Sequence, residues 1–149
     1  GRITPLHTRS AVAMGGTYGF ELDVTKLTDD EKQEMAREIA YYKEHRDTLL
    51  YGDFYRLQNP YTGNLCAWMT VGQGGDEAVV TCVRQRTDSL WRGAVLRLCA
   101  LRPDALYQVL ETGETFGGDE LMQLGLDITL PIGDDAAMVR TLRILPTKG

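Results

Sequence analysis

Tyr51-Gly52-Asp53-Phe54-Tyr55-Arg56-Leu57 decides the fold, because the period of the apolar residues changes across it. Before Gly52 the apolar positions recur every three or four residues, as on a helix with one buried face. After it they recur every second residue, in short runs separated by Gly and Pro. The stretch therefore joins a helical piece to a β-rich remainder.

Upstream, Thr4 can cap a helix with Pro5 at its first position, and Leu6, Ala13 and Met14 carry it to a stop at Gly15-Gly16. An irregular link follows. Thr28-Asp29-Asp30-Glu31 then has the form of a capping box, in which hydroxyl and carboxylate satisfy each other's free amides. This predicts a long helix running to Gly52, with Met35, Ile39, Tyr42 and Leu49 on its buried face. Glu31, Lys32, Glu34, Lys43 and Glu44 fall on the polar side.

Downstream, strands are expected over 54–57, 65–71, 78–83, 95–101, 106–109, 126–130 and 139–145. The turn residues 59–64 and 72–76 link the first three into a meander. Leu65-Cys66-Ala67-Trp68-Met69 is apolar on both faces, which marks a central strand with Trp68 in the core. Leu142 and Ile144 alternate with Thr141 and Arg143, the pattern of a strand wet on one side. The expected class is mainly β: an antiparallel two-sheet sandwich preceded by two helices.

At 149 residues the chain has the length of one ordinary domain. It is 43% hydrophobic and 25% charged, with no apolar run near the ~18 residues of a membrane span. The net charge of -5 and scattered basic residues argue against a nucleic-acid partner. Cys66, Cys82 and Cys99 each sit in an apolar run and are expected as reduced core thiols. The opening Gly1-Arg2-Ile3-Thr4-Pro5 carries no charged-then-apolar leader and has the look of an excised segment.

Chemistry is harder to find. His7 and His45 lie on different helices, and no Cys or carboxylate stands near either at a metal-ligand spacing, so no metal site is expected. Gly72-Gln73-Gly74-Gly75 is followed by β-patterned residues rather than a helix N-terminus, which makes it a hairpin turn and not a phosphate cradle. Asp29-Asp30, Asp119-Glu120 and Asp134-Asp135 are chain neighbours, which suits capping and turns better than paired acid–base work. Trp91, in the loop-like Asp88-Ser89-Leu90-Trp91-Arg92-Gly93, is a candidate sugar-stacking ring, with edge packing as the alternative.

Taken together, Arg2-Ile3-Thr4-Pro5, the run from Met14 through Gly19-Phe20-Glu21-Leu22-Asp23, Tyr42-Lys43-Glu44-His45-Arg46, the Tyr51 to Leu57 joint and Gly118-Asp119-Glu120-Leu121-Met122 resemble the C-terminal part of a bacterial α-galactosidase, or melibiase, of glycoside hydrolase family 36. The resemblance implies that residues 1–52 are the helical end of a (β/α)8 catalytic barrel and 53–149 the antiparallel β domain that follows it. It implies a parent enzyme that removes terminal α-linked galactose, as in melibiose and raffinose, with retention, through an aspartate nucleophile and an aspartate acid/base. Neither motif has a counterpart in this sequence, so no catalytic residue is assigned and the chain alone is expected to be inactive. Residues 2–4 would lie nearest the substrate mouth, with no role assigned to them.

The implied partners are the remainder of the barrel, the parent enzyme's α-galactoside substrate and further copies in a homo-oligomer. No cofactor is implied, substrate-binding residues stay unassigned, and a cytoplasmic location is expected. Two other readings compete: a carbohydrate-binding β-sandwich module without catalysis, and an unrelated binding or scaffold protein.

Overall fold

Gly52 closes the long helix and the next residue opens the first strand, in a computed structural model that describes residues 4–87 and 93–146. Arg2, Ile3 and Trp91, singled out above, lie outside the described residues. The helices are α1 (Leu6–Ala13) and α2 (Asp29–Tyr51), with a single 3-10 turn at Val24–Lys26 between them. The strands β1 (Asp53–Gln58), β2 (Leu65–Val71), β3 (Glu77–Arg84), β4 (Ala94–Leu96), β5 (Leu106–Val109) and β6 (Thr115–Gly117) follow. A short α3 (Gly118–Gln123), β7 (Leu126–Ile128) and β8 (Ala136–Ile144) complete the chain.

Both sheets are antiparallel, as the turn chemistry demanded. The larger has the order β1-β2-β3-β8-β5-β6 and the smaller pairs β4 with β7. The first three strands form the expected meander. Gly72 N–H donates to Glu77 O at 2.8 Å across the second hairpin, and Gly74 and Gly75 take φ of +86° and +77°, which a side chain would oppose.

Side-chain parity shows why the central strands are apolar throughout. Ala67, Met69 and Val71 of β2, Ala78, Val80 and Cys82 of β3, and Ala136, Met138 and Leu142 of β8 point to a main core shared with Leu96, Leu121, Leu126 and Ile128. Residues of opposite parity, Trp68, Val79, Val83, Ala137 and Val139, meet Ala11, Met14 and Leu49 of the helical part. Helices thus cover one face of the sheet and the small sheet with its loops covers the other. Trp68 is half-buried under Gly15 rather than in the main core.

Further expectations are revised. Pro5 takes the cap position of α1 rather than its first turn, and Thr4 donates to Asp135 Oδ2 instead of capping the helix. The strand at 95–101 shrinks to Ala94–Leu96, the three residues that pair with β7, and the left-handed Ala100, φ +57°, turns the chain further on. Leu98 and Leu101 remain buried outside any strand, and Leu98 N–H donates to Leu121 O at 3.1 Å. The strand at 139–145 is not wet at Thr141, which is fully buried, because β8 is internal and Tyr41 and Glu111 lie over that position.

Candidate functional site

Helix α2 buries more polar groups than its sequence pattern announced. Met35 and Leu49 are buried as expected, yet Glu38, His45 and Thr48 are buried with them. These polar positions, with Tyr41, also follow three–four spacing, so they form a second stripe beside the apolar one. The stripe meets α1 at one end and the sheet at the other.

At the first end, His7 in the opening turn of α1 places Nδ1 3.1 Å from Glu38 Oε1. Glu34 and Glu38 stand one turn apart on α2, so their carboxylates face the same side. One ligand atom from each of His7, Glu34 and Glu38 lies within 4.8 Å of the others. These residues, with Arg37, Tyr41 and Glu111, line a groove of about 450 Å³ between the two helices and β8. The hydrogen bond to Glu38 raises the His7 pKa despite opposition from partial burial.

Deeper in the same wall, Thr141 donates its N–H and its hydroxyl to Glu111, at 2.9 and 3.0 Å. Tyr41 then donates to the Thr141 hydroxyl at 2.6 Å. Burial pushes the Tyr41 phenol well above its usual range, so it stays protonated and serves as a fixed donor.

At the far end of the stripe, Glu77 accepts from His45, Thr48 and Arg143. This cluster is saturated by its own members and lies under α2, which gives it a structural role. The carboxylate pairs read as caps and turns act so: Asp29 opens α2, Glu120 accepts from Gly117 N–H at the start of α3, and Asp134 accepts from Thr87 N–H. All three cysteines are free thiols, and burial pushes the Cys82 pKa to about 12, which makes it inert. No described helix is long and apolar enough to cross a membrane.

The sequence did not bring His7 to Glu34 and Glu38, because the metal-ligand spacing sought was local and this contact spans the α1–α2 connection. A usable signal was present in Glu34, Glu38, Tyr41, His45 and Thr48, a helical ladder of polar groups that a solvated face has no need to align.

Comparison with known proteins agrees with this fold along its whole length. The family described as Glycosyl hydrolase family 36 C-terminal domain matches residues 65–142, and the one described as Melibiase matches residues 1–52. An alpha-galactosidase of Lactobacillus acidophilus is 44% identical over 90% of this chain and 18% of its own length. One from Geobacillus stearothermophilus is 40% identical over 96% of this chain and 20% of its own. A crystal structure of a Geobacillus stearothermophilus family 36 enzyme in complex with raffinose superposes with a TM-score of 0.93 at 39% identity, covering 97% of this chain and 20% of that one. The chain spans about a fifth of the length of the relatives it matches. With one family match covering its helical part and another most of its strands, the chain belongs to glycosyl hydrolase family 36.

Proposed function

We propose that the chain is the C-terminal part of an α-galactosidase that hydrolyses terminal, non-reducing α-D-galactose from melibiose- and raffinose-type substrates with retention, and that this part is structural. The observation that carries the reading is the similarity of almost the whole chain, helices and sheets together, to a relative whose crystal structure holds raffinose. The carboxylates of the groove, Glu34, Glu38 and Glu111, are engaged with His7 and Thr141 or stand beside those that are, which suits a supporting role. The role left to the chain is support for a catalytic barrel, with residues 1–52 contributing that barrel's end and 53–149 the β domain.

The reading extends to assembly and location. Tyr51 is 68% exposed and Phe54 49% exposed at the joint, apolar surface of the kind that meets the remaining barrel or a further copy in a homo-oligomer. Three free thiols fit a reducing, cytoplasmic setting.

The test is a chimera in which this chain replaces the corresponding fifth of the Geobacillus enzyme. Hydrolysis of raffinose by the chimera is expected; a folded chimera that leaves raffinose intact refutes the reading. The 149-residue chain alone should not release the chromophore from a chromogenic α-galactoside. Turnover that persists through exhaustive purification would overturn the structural role. Galactose titrated into the chain should leave Trp fluorescence unchanged, whereas a saturable response would favour a carbohydrate-binding module.

A further inference from the structure

We propose that His7, Glu34 and Glu38 form a binding site for a divalent transition-metal ion, zinc in the first instance, in the groove between α1 and α2. The donor set is one imidazole and two carboxylates, which suits zinc among the biological cations. Their ligand atoms lie within 4.8 Å of one another. Tetrahedral zinc with bonds of ~2.0–2.1 Å separates its ligands by about 3.3 Å, so His7 and Glu38, at 3.1 Å, already stand at coordination spacing. Glu34, on the more open wall, closes the remaining gap by a side-chain rotation.

A second observation points the same way. Glu38 is only 8% exposed, and its Oε2 is buried with no hydrogen-bond partner. A desolvated carboxylate oxygen left without a donor is costly, and a cation in the groove removes that cost. His7 meets Glu38 at Oε1 and leaves Oε2 without a donor. A metal bridging the carboxylate and the imidazole serves both.

The surroundings favour a cation. Glu34, Glu38 and Glu111 line the groove against Arg37. The His7 side chain is half exposed, which leaves an entry path, and three protein ligands leave a coordination position open to the groove. The other histidine, His45, is buried against Glu77 and cannot supply a competing surface site.

The test is calorimetric titration of zinc chloride into the 149-residue chain, with thermal unfolding followed in parallel. One ion per chain and a raised midpoint are expected. His7→Ala and Glu38→Gln should each weaken binding at least about tenfold, the order expected for loss of a ligand or its supporting partner. Glu34→Gln, at a less buried position, keeps the test valid if the other two variants fail to fold. Cobalt in place of zinc should give visible absorption bands in the unmodified chain and lose them in the Glu34→Gln variant. Absence of binding, or zinc affinity unchanged in a folded Glu34→Gln or His7→Ala chain, overturns the proposal.

Discussion

Glu77 takes hydrogen bonds from three residues on two elements. His45 Nδ1 lies 3.0 Å and Thr48 Oγ1 2.9 Å from Oε1, while Arg143 reaches Oε2 through Nε at 3.1 Å and a terminal nitrogen at 2.8 Å. Burial alone would raise the carboxyl's pKa, but these donors outweigh it and hold it down to about 2, against 4.5 for a free glutamate. A depressed carboxyl contributes stability that is complete above the unfolded value and disappears as pH falls through the folded one. The acid limb of stability should therefore lie between about pH 4.5 and 2. Glu77→Gln is expected to cost about 1–2 kcal/mol at pH 7, allowing for solvent at the Arg143 side, and to flatten that limb. Urea unfolding at pH 7 and pH 3 checks both; an unchanged pH dependence in the variant would remove Glu77 from this role. His7 runs the other way. Its pKa is raised, so its contribution is complete below 6.5 and fades as pH rises through the folded value.

Helix α2 shows at the scale of an element what local sequence can and cannot specify. Its start was legible because the capping box is local: Thr28 Oγ1 accepts from Glu31 N–H at 3.2 Å, and Glu31 Oε2 accepts from Thr28 N–H at 2.8 Å. Thr28→Ala should lower stability by ~1 kcal/mol, read from the urea midpoint. Its end was legible for a different reason from the one that operates. Gly52 has φ −74°, which any residue can adopt, but a Cβ there would run into the Thr48 carbonyl of the helix's own last turn and lie 2.6 Å from Val71 O. Glycine is needed because the last helical carbonyl and β2 both crowd this position. Gly52→Ala should cost about 1–3 kcal/mol through displaced backbone, and a variant as stable as the parent would show that the helix–strand contact is loose.

The elements that escaped the sequence are short or set by distant contacts. Helix α3 has six residues, too few to display a period, and the turn at Ala100 depends on burial of Leu98 and Leu101 on either side. The candidate metal site was invisible for the second reason. His7 and Glu38 are 31 positions apart and meet only because both helices dock on one sheet.

For the whole molecule, the question is whether the helical part and the β domain stand as one body. The sequence pattern breaks at Gly52, but the packing crosses it: Leu49 and Met14 share a cluster with Val79, and Ala11 shares one with Val83 and Ala137. Polar ties cross it too, from Tyr41 to Thr141, His45 to Glu77 and the Thr8 hydroxyl to Asp135 O. Removing residues 1–52 would bare the apolar parity of β2, β3 and β8 that their sequences carry at Trp68, Val79, Val83 and Val139. A sheet with both faces apolar does not hold with one of them wet. Helix and sheet should therefore unfold in a single transition, as chains of this length commonly do. Far-ultraviolet dichroism reports α2, and fluorescence of Trp68 in a Trp91→Phe background reports the helix–sheet interface. Coincident urea midpoints are expected from the two probes. A helical signal that melts first, leaving Trp68 unchanged, would mean that the sheet stands without its helices and that Gly52 divides two independent units.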